Sequence, residues 1–178
     1  RRLKVAQFTD NYGPGSNGLM FAVQQLEGNL LDAGHEVVVV APKAKGPNPH
    51  LGREGRVELR LPSVRVPNMP TRVANGRHFE RTIEQIGELD PDVIHVHGLG
   101  TVGVLGTWAA KRLNKPMLMT WHTDFDAYAD HYAAVLPLLR GVVQAFARLT
   151  HGEILNSHDL RDAAVRFADR GRSTATLL

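Results

Sequence analysis

No cysteine occurs anywhere in the 178 residues. Disulfides, thiolate metal sites and a cysteine nucleophile are therefore excluded, and the composition fits a reducing cytoplasm. No run approaches the roughly 20 apolar residues that cross a bilayer, and no signal peptide is expected ahead of the first apolar segment. A large charge of one sign is lacking too. Lys and Arg number 21 against 18 Asp and Glu, leaving +3 with His neutral, which is too little to argue for nucleic acid. Aromatic residues make up 6% and do not interleave with the basic ones as a base-stacking platform would require. The basic residues gather at Lys43, Lys45, Arg53, Arg56, Arg60, Arg65, Arg72, Arg77 and Arg81. They read as a solvated, loop-rich face, with anionic lipid headgroups or a charged acceptor as the sharper alternative.

What is present is alternation. Strands are expected at 3–9, 36–41, 57–61, 93–97, 116–121 and 153–156. The first, second, fourth and fifth are nearly continuous apolar runs, as parallel strands covered on both faces require. Leu19, Val23, Leu26 and Leu30 repeat at helical spacing until Gly34 stops them. Phe79, Ile83 and Ile86 mark a second helix that Pro91 ends, Val102, Leu105, Ala109 and Leu113 a third. A last helix is expected from a cap near Ser157, through Leu160, Ala164 and Phe167, to Gly171. Such an order predicts an α/β chain: a doubly wound, Rossmann-like parallel sheet with helices on both faces. The length suits a single domain. The stretch 43–70 breaks the rhythm with five prolines and one short strand, so an extended surface excursion is expected. Segment 128–149, poor in charge and interrupted by Pro137, reads as buried, or as lying on a membrane or partner.

In open α/β sheets ligands bind outside the carboxyl ends of the strands. Four polar loops follow those ends: Asp10-Asn11-Tyr12 with the run Gly13 to Gly18, His97-Gly98, His122-Thr123-Asp124, and Asn156-Ser157-His158-Asp159. Their coincidence predicts a cleft. Glycines between a strand end and a helix start let backbone N–H groups approach an anion that the helix dipole also favours. Metal binding is not expected. His95 and His97 are read as facing opposite sides of the sheet, and no i, i+4 His pair supports a site on a helix. Ser157 lacks a G-x-S-x-G elbow. Gly13, Gly15 and Gly18 spell G-x-G-x-x-G, yet the second strand ends in Ala41-Pro42-Lys43 without the acidic residue that holds a ribose. An NAD(P) domain is therefore the weaker alternative.

The segments FTDNYGPGSNG, GHEVVVVAP, PDVIHVHG and TWHTDFDAYADHY together resemble the amino-terminal domain of family 4 retaining glycosyltransferases of the GT-B fold. The likeness is to bacterial members with D-x-Y-x-P-x-x-N-G and H-T-[DN]-F-x-x-Y motifs, and it runs in order along essentially the whole chain. It implies one half of a GT-B architecture. Residues 1–178 would form the amino-terminal domain, with 173–178 a linker to a donor-binding domain supplied in cis or as a separate chain.

By the same resemblance Gly15, Asn17 and Gly18 lie against the donor diphosphate and sugar. His122 is the catalytic residue beside the reacting centre. Tyr12, Asp124, Tyr128 and His97 line the acceptor cleft. The implied enzyme is a hexosyltransferase moving a sugar from a nucleoside-diphosphate donor to a hydroxylated acceptor with retention, needing no metal or cofactor. This half would be inactive alone, in the cytoplasm, with peripheral contact at the inner membrane face left open. A retaining transfer passes through an oxocarbenium-like state as the diphosphate departs, and preorganised dipoles must meet both charges. A non-catalytic binding or regulatory module of the same fold is the rival reading.

Overall fold

The computed structural model describes residues 1–13, 18–44, 48–65, 72–98, 100–122 and 173–177. Six strands form one sheet: β1 (Lys4–Thr9), β2 (Glu36–Pro42), β3 (Arg56–Leu61), β6 (Val93–His97), β7 (Met117–Trp121) and β8 (Ser173–Leu177). Their order across the sheet is β3-β2-β1-β6-β7-β8, and every neighbouring pair is parallel. That is the doubly wound arrangement expected, and the direction of winding reverses between β1 and β6. Ser173–Leu177, expected as the start of a linker, runs as a strand against Met117–Trp121. The expected strand at 153–156 and the helices at 128–149 and after Ser157 lie outside the described residues.

Helix α1 (Gly18–Asp32) covers one face, while α2 (Phe79–Leu89) and α3 (Thr101–Arg112) cover the other. Phe8, Val38, Val40, Ile94 and Val96 pack beneath α2 and α3 against Ile83, Ile86, Val102 and Leu105. Val37, Val39 and Ala41 meet Val23 and Leu31 of α1 on the opposite face. Strand β2 is buried along almost its whole length, which accounts for its unbroken apolar sequence. On α1 the buried stripe is Met20, Val23, Glu27 and Leu31, about one residue round from the expected Leu19, Leu26 and Leu30. A buried Glu displaces the purely apolar reading. Gly34, at φ +81°, ends α1 as expected, and the His35 N–H turns back to the Leu30 carbonyl at 2.9 Å.

Small residues let α3 lie low on the sheet. A Cβ at Gly106 would stand 2.7 Å from Phe8 Cγ, and one at Gly103 would stand 2.1 Å from the Gly98 carbonyl oxygen. The excursion after β2 contains more order than anticipated. Ser63–Arg65 (β4) and Arg72–Ala74 (β5) form an antiparallel pair beside the main sheet. Among the described residues no helix is long and apolar enough to cross a membrane.

Candidate functional site

The carboxyl ends of β1 and β6 flank the switch in strand order, and a single carboxylate ties them together. Asp10 follows β1 and accepts hydrogen bonds from the Val102 N–H (2.8 Å), the Gly103 N–H (3.1 Å) and the Thr101 hydroxyl (3.2 Å). It thereby satisfies the free N–H groups at the start of α3, which no side chain of that helix caps. Burial raises its carboxyl above the ordinary 3.8, while those backbone donors pull the other way. A Cβ on Gly100 would stand 2.3 Å from the Asp10 Cγ, so the approach requires glycine there. The amino end of α3 is filled from within. That of α1 carries no acidic residue in its first turn, and it begins at the exposed Gly18.

Three histidines stand together beside this edge. A strand has a side-chain period of two, so His95 and His97 share a face, and the expectation that they point to opposite sides is corrected. Their ring centroids are 3.9 Å apart. His95 Nε2 meets the Thr120 hydroxyl at 2.7 Å, and His97 Nδ1 meets His122 Nε2 at 3.1 Å. The parallel register explains the grouping. His95 lies opposite Leu118, so 95, 97, 120 and 122 fall on one side of adjacent strands. Burial lowers all three imidazoles: His95 to about 4 with help from His122, His97 well below 6.5, and His122 by burial alone. All three are therefore neutral at pH 7. Among the described residues no three His, Asp or Glu are arranged to hold a metal ion.

Two residues expected to line an acceptor are turned inward. His97 is 2% exposed, and among the described residues its one hydrogen-bond partner is His122. Tyr12 is 3% exposed. Its hydroxyl donates to the Glu27 carboxylate, and Asn48 Oδ1 stands 3.1 Å from the same oxygen. Burial and that carboxylate push the phenol up. Glu27, fully buried, pairs with Arg56, which also pairs with Glu58, while Arg60 reaches Glu58 and the Tyr12 carbonyl. The Arg60 guanidinium also lies 4.9 Å from the Tyr12 ring centroid. Arg56 and Arg60 thus leave the solvated face assigned to them and anchor the start of the glycine loop to β3. The sequence signal for this network was a Glu four residues after Val23, inside an apolar stripe. Of the other expected site residues, Gly15, Asn17, Asp124, Tyr128, Ser157 and His158 lie outside the described residues.

A family model described as Glycosyltransferase Family 4 matches residues 16–174. Three curated relatives resemble the chain over most of its length. Alpha-monoglucosyldiacylglycerol synthase of Streptococcus pneumoniae is 29% identical, covering 90% of this chain and 36% of its own. A GDP-mannose-dependent alpha-mannosyltransferase of Mycobacterium tuberculosis is 28% identical over 98% of this chain and 43% of its own. The GDP-mannose-dependent alpha-(1-6)-phosphatidylinositol dimannoside mannosyltransferase of the same species is 30% identical, over 93% and 41%. The chain therefore spans roughly two fifths of the length of the relatives it matches.

Proposed function

This chain belongs to Glycosyltransferase Family 4, and from that premise we propose that it supplies the acceptor-side half of an enzyme transferring a sugar from a nucleoside-diphosphate donor to a hydroxylated acceptor with retention. The observation that carries the reading is the place of His122, half-buried at the end of β7 and set against His97 at 3.1 Å, in a row of strand ends that also bears the glycine loop. As the glycosidic bond to the diphosphate breaks, negative charge grows on the leaving phosphate and positive charge on the sugar. Backbone N–H groups of the loop that includes Gly15, Asn17 and Gly18, at the amino end of α1, suit the first charge. A neutral imidazole can hold a sugar hydroxyl without placing a cation beside the second.

Tyr12 and His97 act here by holding the loop and His122 in place, while Asp124 and Tyr128 remain the residues proposed to meet the acceptor. The donor-binding half is supplied in this reading by a second domain, in cis or as a separate chain, and GDP-mannose, named for two of the relatives above, is the first donor to try. A lipid-linked acceptor at the inner membrane face accords with the glycolipid names among those relatives.

The test is kinetic. In the full-length protein, His122→Ala should lower kcat on the order of 100-fold or more, the scale of losing one preorganised transition-state donor, while nucleotide affinity by calorimetry stays nearly unchanged. Equal losses in both would make His122 a binding residue. Inversion at the anomeric carbon of the product would overturn the retaining mechanism.

A further inference from the structure

His97 has two ring nitrogens in different circumstances. Nδ1 stands 3.1 Å from His122 Nε2, while Nε2 is buried with no hydrogen-bond partner among the described residues. We infer that His97 is the positioning residue of His122: it donates its single N–H from Nδ1, so that His122 accepts at Nε2 and carries its own proton on Nδ1. The consequence for catalysis rests on the proposed role of His122; the proton assignment itself does not.

The assignment follows from which atom can be left unpaired. A neutral imidazole offers one donor and one acceptor. If His97 accepted from His122, its own proton would sit on the buried, partnerless Nε2. Orphaned buried N–H groups are rarer in proteins than under-used acceptors, and stranding one costs a full desolvation penalty. Placing the proton on Nδ1 leaves only a lone pair unmatched and pairs the donor with His122. The rings are held for this purpose. His97 lies against His95, itself anchored to Thr120 at 2.7 Å, and faces His122 with centroids 5.4 Å apart and planes 29° from parallel.

The arrangement also resists protonation of His122. A second proton on its Nε2 would point at the His97 N–H, and relief would require moving the His97 proton to the buried Nε2. Burial already lowers His122, so the neighbour and the environment act in the same direction. The result is a neutral imidazole with a donor at Nδ1, suited to a sugar oxygen and unable to repel developing positive charge. An outer partner that sets the tautomer of a histidine in this way is familiar from metal sites; here it would serve hydrogen bonding to substrate.

The test reads the proton directly. In full-length protein labelled with 15N-histidine, long-range 1H–15N spectra should show His122 protonated at Nδ1 and unprotonated at Nε2. His97→Leu should move His122 toward protonation at Nε2. In turnover with a nucleotide sugar, His97→Leu should lower kcat on the order of 10-fold or more, with little change in donor KM, by analogy with outer partners of metal ligands. His97→Asn, whose amide sits close to the lost Nδ1, should recover part of that rate. Wild-type His122 protonated at Nε2 overturns the inference even if no variant folds, and so does a His122 tautomer unmoved in a folded His97→Leu protein. A correct tautomer in a protein that transfers no sugar would instead sink the proposed function and leave the proton assignment standing.

Discussion

At the residue scale the most informative groups are buried and titratable. His95 is 5% exposed and lowered from 6.5 to about 4, chiefly by burial. In the folded protein it stays neutral, while in the unfolded chain it takes up a proton as pH drops below 6.5. The unfolded state therefore binds more protons between pH 6.5 and 4, and stability is lost as pH falls through that window. The depression corresponds to roughly 3 kcal/mol. His97 and His122 contribute with the same sign, whereas Asp10, raised by burial, works the other way at lower pH. His95→Gln retains a polar end for Thr120 and removes one of these protons. Denaturant titrations at pH 7 and pH 5 should show a smaller difference in stability for the variant than for the wild type. Equal differences would mean that His95 titrates normally in the folded state. None of this was legible from the His-x-His spelling until its faces were assigned correctly, since a period of two puts both rings on one side.

The element scale is governed by how α1 is fastened to β3. Glu27 from the helix and Arg56 from the strand are 0% and 3% exposed at their side chains, and they pair directly. Removing one partner of a buried pair leaves an uncompensated charge, which costs about 3–5 kcal/mol. Arg56→Ala should therefore lower the midpoint of chemical denaturation strongly. Lys115→Ala, which breaks a pair with the largely exposed Asp90, should leave it almost unmoved. Similar midpoints for the two variants would show that the Glu27–Arg56 pair adds no more than an exposed ion pair does. The three described helices were readable from apolar residues at helical spacing, and the four apolar strands because continuous burial writes itself into sequence as unbroken Val, Ile and Phe, as in Val37 to Val40. The Glu27–Arg56–Glu58 network was not, because Arg56 and Glu58 alternate on a half-buried edge strand and look like ordinary surface charge. Neither was the β4–β5 pair, whose Val64 and Val73 sit among prolines and arginines.

At the scale of the whole molecule, strand order could not be read from the chain, because it depends on which ends meet in space. Once it is known, it limits what this domain can bind alone. A nucleoside diphosphate carries several negative charges, and its affinity depends on cations and free N–H groups. Among the described residues that follow β1, β6 and β7, namely Asp10 to Gly13, Gly98, Gly100 and His122, there is no Lys or Arg. The nearest second helix end is occupied by Asp10. Among the described residues that leaves the start of α1, where the backbone dipoles of a helix amount to about half an elementary charge. Calorimetry on this chain, with its fold checked by circular dichroism, should accordingly show weak or no binding of GDP or of NAD(P)H. The full-length protein should bind its donor nucleotide readily. Tight nucleotide binding by the chain alone would mean that the cations for the diphosphate come from this domain, and the division of labour between two halves would have to be abandoned.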